Sequence, residues 1–168
     1  VWRNTFPRPP IVPGQTEAVR RESEIARCLS QAATVDYFEL RFVRGMCNLL
    51  GAVVHAERTG GSGETALASA QLACGLGMMR RRAACNRLMA RAEEVAVALG
   101  DPSIHSHVCS LDALWHLGLC EWAEVDRRLD QAQTLALRSA DHDHVDVLRG
   151  DDLEEVVAMP ANNRILVL

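Results

Sequence analysis

"ARAEEVAVALGDP", residues 90–102, reads as the end of a helix: small apolar residues set among acidic ones, then a glycine stop and an Asp-Pro restart. Forty residues later the chain reads "DQAQTLALRSADH" (130–142), and forty residues earlier "LGAVVHAERTGGS" (50–62). At that spacing Leu49, Met89 and Leu129 share a register, as do Ala52, Ala92 and Ala132, and then Ala56, Ala96 and Ala136. Upstream of them stand Gly45, Cys85 and Val125, all small to medium in size. The helix ends coincide at Gly60, Gly100 and Ala140, with Asp101 and Asp141 directly after. Positions 0, 3 and 7 lie on one helical face. Alanine there lets a second helix approach closely while Leu or Met fills the gap beside it. A helix pair with such a face cannot bury it alone, so stacked copies must share one continuous core.

Composition agrees with an all-α chain. The 168 residues suit one domain with a sizeable core. Hydrophobic residues make up 48% but aromatics only 4%, so Leu, Val, Ala and Met must build the interior, a mixture that favours helix over strand. The net charge of −4 is too mild to point to nucleic acid or a membrane surface. All eighteen basic residues are Arg, which we read as the codon bias of a GC-rich, bacterial genome. Cys28, Cys47, Cys74, Cys85, Cys109 and Cys120 form no CxxC pair and fall in helical apolar patterns, as free thiols of a reducing cytoplasm do. No apolar run reaches the length of a membrane span. The chain begins at Val1, with no charged-then-apolar leader, and reads as a fragment of a longer polypeptide.

Residues 1–15 hold four prolines and a glycine and are expected to form an extended arm or linker. Thr16 is the expected N-cap of a first helix over 17–33. Further helices are expected over 37–59, 65–76, 79–99, 104–117 and 122–140, with a shorter seventh over 145–158. The helical domain thus covers 16–158, and 159–168 is a tail. "TGGSGE" (59–64) stops the second helix.

The second helices carry a resemblance. "WAEVDRRLDQAQTLALRSAD" (122–141) resembles the second helix of a tetratricopeptide-type repeat, with Trp122, Val125, Leu129 and Ala132 at the motif's 3, 4, 3 spacing. "RRRAACNRLMARAEEVAVALGD" (80–101) resembles the preceding copy through Cys85, Met89 and Ala92, with Arg82 in place of the aromatic. The stretch from about 37 to 141 is similar to the degenerate repeats found C-terminal to ATPase modules in bacterial adenylate/guanylate cyclase-like and kinase-like signalling proteins. Phrases such as "AERxG" and "ALGDP" recur there, here at 56–60 and 98–102. The forty-residue period departs from the usual 34. The first helices carry Ala73 and Ala113 where that motif has glycine.

The resemblance implies a right-handed α-solenoid of antiparallel helix pairs, about six to seven helices in all. It implies a non-catalytic segment that binds a protein or peptide, or one that docks on an absent catalytic domain of the same polypeptide as an intramolecular regulator. No cofactor is expected. By the repeat register the concave, partner-binding face comprises Leu67, Ala70 and Cys74, then His107, Ser110 and Leu114, with Trp115 either in the core or in the groove. Trp122 is expected to pack between paired helices.

Other candidate sites weigh less. A third reading is a small all-α metal-binding protein or enzyme that uses the His/Cys/Asp set: His105, Cys109, His142 and His144 are the donors a zinc site would draw on, but they have no recognised ligand spacing. Arg80, Arg81, Arg82, Arg87 and Arg91 read as a solvated face pairing with Glu93 and Glu94 rather than an anion site. "TGGSGE" lacks the Lys-Ser/Thr of a phosphate loop. Asp151, Asp152, Glu154 and Glu155 form an acidic run with no strand scaffold or pocket that would make it a paired-carboxylate site.

Overall fold

The computed structural model describes residues 17–143, with side chains described to residue 139. The expected arm at 1–15, the seventh helix and the tail lie outside the described residues, as do the side chains of His142 and His144. Six helices and no strand are present among the described residues: α1 (Glu17–Phe38), α2 (Phe42–Glu57), α3 (Gly63–Met78), α4 (Arg82–Leu99), α5 (Pro102–Gly118) and α6 (Trp122–Asp143).

The heaviest packing joins α1 to α2, α3 to α4 and α5 to α6, and α3 also packs on α1, α2 and α5. Within the first pair, the last turns of α1 meet the first turns of α2, where Arg44 and Asn48 reach Asp36. The first turns of α1 meet the last turn of α2, where His55 and Arg58 reach Glu22.

The forty-residue register recurs in the backbone. α2, α4 and α6 begin at 42, 82 and 122. Before each stands a non-glycine residue in the left-handed conformation: Leu40 (φ 58°), Arg80 (φ 60°) and Cys120 (φ 59°). Side chains there cost on the order of 1 kcal/mol each. The turns recover this through one repeated closure, in which the amide after the left-handed residue donates to a carbonyl five residues back. The pairs are Arg41 to Asp36 (2.8 Å), Arg81 to Leu76 (3.0 Å) and Glu121 to His116 (3.1 Å).

These turns correct two expected boundaries. The second helix does not start at 37: α1 runs on through Phe38. No glycine or proline marks the Leu40 turn, and Asp36 is fully buried between α1 and α2, so tertiary contact extends α1. α4 begins at Arg82 rather than 79 for the same reason, Arg80 being left-handed. The break before α5 is the one read from sequence: the Asp101 carboxylate caps the amides of Ser103 (2.9 Å) and Ile104 (3.4 Å), with Pro102 in the first turn.

The alanine stripe is buried. Ala52, Ala92 and Ala132 are all covered, as are Ala56 and Ala96, together with Gly45, Cys85, Met89 and Val125. Ala136 is exposed, because no described helix follows α6 in the way α3 follows α2 and α5 follows α4. Trp122 is corrected: it is 61% exposed and stands at the outer start of α6 rather than between helices. The core is one cluster around Ala66, Ala70, Ala73, Met89, Val108 and Trp115, with a smaller one around Ala26, Ala52 and Ala56.

Candidate functional site

The C-terminal turns of α1, α3 and α5 and the N-terminal half of α2 enclose an open groove of about 930 Å³. Two glycines of α3 shape it. A Cβ on Gly77 would lie 2.3 Å from the Trp115 ring, and one on Gly75 would lie 2.6 Å from Met46 Sδ. Without side chains at these positions, the indole from α5 and the thioether from α2 press onto the α3 backbone and become walls of the groove. Tyr37, Phe38 and Phe42, three of the chain's four Phe and Tyr residues, form the α1–α2 side. All three are exposed, Phe38 at 69%, and the Tyr37 and Phe38 rings meet edge to face with centroids 5.5 Å apart.

The polar lining is sparse. Cys74 Sγ donates to the Leu111 carbonyl at 3.2 Å, and burial pushes its thiol up to about 12, so it stays neutral. Gln71 Oε1 is buried and accepts no hydrogen bond from a described residue. Arg80, at the rim, has no ion-pair partner among the described residues, whereas Arg44 is held on Asp36, Arg41 on Glu39 and Arg82 on Glu121.

Of the residues expected on a concave face, Cys74, Leu114 and Trp115 line this groove. Leu67 packs against the main core, and Ala70 is wholly buried within it. Ser110 is buried, its hydroxyl donating to the Ser106 carbonyl at 3.1 Å. His107 is half-buried on α5, and burial holds its imidazole below the usual range. The sequence reading left out Tyr37, Phe38, Phe42, Met46 and Gln71. The signal for three of them was present: in a chain so poor in aromatics, "DYFELRF" (36–42) holds nearly all of its Phe and Tyr.

A second polar centre lies between α4, α5 and α6. Arg128 reaches Glu93 (2.9 Å) and, without hydrogen-bond alignment, Asp112 (2.7 Å). Asp112 also faces His116 at 3.6 Å, and His116 in turn meets Glu121 at 2.7 Å. Burial pushes the Asp112 carboxyl up, against the pull of Arg128 and His116. The Arg128 hydrogen bond holds Glu93 low. Arginine supplies the positive charge here, and the contacts tie three helices together. His105 and Cys109 lie on α5, and among the described residues no three His, Cys, Asp or Glu side chains gather as metal ligands. No described helix is long and apolar enough to cross a membrane.

No protein-family model, curated protein or solved structure matches the chain. The likeness to tetratricopeptide-type repeats and to cyclase-associated segments therefore rests on the residues quoted above alone.

Proposed function

We propose that the chain is an α-solenoid segment of antiparallel helix pairs that binds, without transforming it, an apolar stretch of a protein or peptide in the groove between α1, α2, α3 and α5. The observation that carries this reading is the groove itself: about 930 Å³, walled by Trp115, Met46, Leu114 and exposed aromatics, with few polar groups. Aromatic and Met side chains of this kind dominate the energetics of binding surfaces. A partner's apolar side chains would displace water from the walls. The left-handed turns repeating at 40, 80 and 120 support the stacked-pair architecture on which the groove depends.

The test is selection of a random peptide library on the full chain, followed by mapping the winning peptide by NMR shift perturbation. Enriched peptides are expected to carry aromatic or aliphatic anchors and to perturb Cys74, Leu114 and Trp115. Leu114→Glu, at an exposed position, is expected to weaken binding by at least tenfold while the helical circular dichroism is unchanged. Peptides that bind elsewhere, or equally well to that variant, overturn the reading.

A further inference from the structure

α2, α4 and α6 occupy equivalent places, so their outward faces compare position by position. On α4 the face opposite the buried stripe is Ala83, Arg87, Ala90 and Glu94, and on α6 it is Ala123, Arg127, Asp130 and Thr134. All eight are exposed, as on an ordinary solvated face. The same four positions on α2 hold Val43, Cys47, Leu50 and Val54, exposed as well: Val43 at 77%, Leu50 at 52% and Val54 at 53%. Their 4, 3, 4 spacing is a single helical seam. α2 is thus apolar on two opposite sides, its other side being the buried face of Gly45, Ala52 and Ala56. A helix of that kind belongs between two layers, yet among the described residues only one covers it. Leu40, 90% exposed where the register elsewhere places Arg80 and Cys120, stands three residues before the seam.

We propose that this seam is an interface between two copies of the chain, related by a two-fold axis passing between Cys47 and Leu50. The seam reads alike from both ends. An antiparallel copy sets Val43 against Val54 and Cys47 against Leu50, the self-complementarity an isologous contact needs. Charge agrees with it. The seam carries none, and the charged residues of α2 are turned onto their own chain: Arg44 on Asp36, Glu57 on Arg91, with Arg58 at its end on Glu22. Two copies therefore meet without like-charge repulsion or stranded ions. A sixteen-residue helix is about 24 Å long. One helix pair buries less than the ~800 Å² per partner of a standard interface, so the dimer is reversible.

Sedimentation of the full chain over a concentration series tests this. The mass is expected to rise from 18.5 kDa towards twice that value as concentration increases. A variant carrying the residues of α4 at the seam (Val43→Ala, Cys47→Arg, Leu50→Ala and Val54→Glu) is expected to stay monomeric with unchanged helicity, since the equivalent face already bears those residues. In a Cys28→Ser, Cys120→Ser background, a short thiol crosslinker is expected to join Cys47 to Cys47, and Leu50→Glu to abolish the product. A chain monomeric at every concentration, a grafted variant that dimerises like the parent, or a crosslink indifferent to Leu50→Glu overturns the proposal.

Discussion

The first helix pair (α1, α2) and the third (α5, α6) turn on the same backbone, Leu40 in one and Cys120 in the other, yet each is locked by different chemistry. In the first, the buried Asp36 is fully answered by Arg44 (2.6 Å) and Asn48 (2.8 Å), and the Arg44 hydrogen bond holds its carboxyl below the usual range. In the third, burial drives Asp112 the other way although Arg128 lies against it. The repeat therefore dictates where chains turn and where alanines pack, while each pair finds its own polar lock. The middle helix α3 touches both pairs, meeting a pliant Met46 on one side and a rigid Trp115 on the other.

That asymmetry gives the largest expected effect. Gly77→Ala drives a methyl into the Trp115 ring, and overpacking against an aromatic that cannot fold away is expected to cost about 2–3 kcal/mol. Gly75→Ala meets only the flexible Met46 side chain. The helix-propensity gain of about 1 kcal/mol over glycine is expected to offset most of that contact. Chemical denaturation of the two variants checks the contrast, and equal losses would break it.

Next come the register alanines. Ala56→Leu adds volume where no space exists and is expected to destabilise by about 2 kcal/mol. Ala136→Leu, the same position in the third pair, is exposed and is expected to stay within about 0.5 kcal/mol of the parent. A comparable loss at Ala136 would show that further chain covers α6. Smaller again, Leu40→Gly and Cys120→Gly each remove a left-handed side chain that is exposed. Both are expected to raise stability by up to about 1 kcal/mol, alike in the two pairs.

The finest contrast is in pH. Because the folded pKa of Asp36 is depressed, its contribution is present above the ordinary aspartate range and is lost as pH falls through the folded value. The folded pKa of Asp112 is raised, so its contribution is present at low pH and is lost as pH rises through the folded value. Relative to the parent, Asp36→Asn is expected to lose melting temperature as pH rises from the acid limb towards neutrality, and Asp112→Asn to gain it. Slopes of the same sign would remove the distinction between the two locks.

Much of this architecture was legible in the residues. Ala52, Ala92 and Ala132 announce a common buried face because only a small side chain lets two helix backbones come close. The Asp101-Pro102 restart is a local event, settled by a cap and a fixed φ. The junctions at Leu40 and Arg80 were not legible: the left-handed residue lacks the glycine that would mark it, and at Leu40 the turn is held by tertiary contact at Asp36. The groove was half legible. Cys74 and Leu114 follow from helical register and Trp115 was open between core and groove, whereas Tyr37, Phe38 and Phe42 join them only because α1 runs on to Phe38.

Taken alone, the order of residues determined that the chain is helical, that its second helices repeat every forty positions and that alanines face the interior. These are matters of local propensity and periodicity, which neighbours in sequence decide. Only the packed structure decided that Gly75 and Gly77 open a site beside Met46 and Trp115, that Asp36 and Asp112 titrate in opposite directions, and that α2 carries a second apolar side with nothing described upon it. Those depend on which surfaces meet across long stretches of chain, and contact and burial are set by the whole fold.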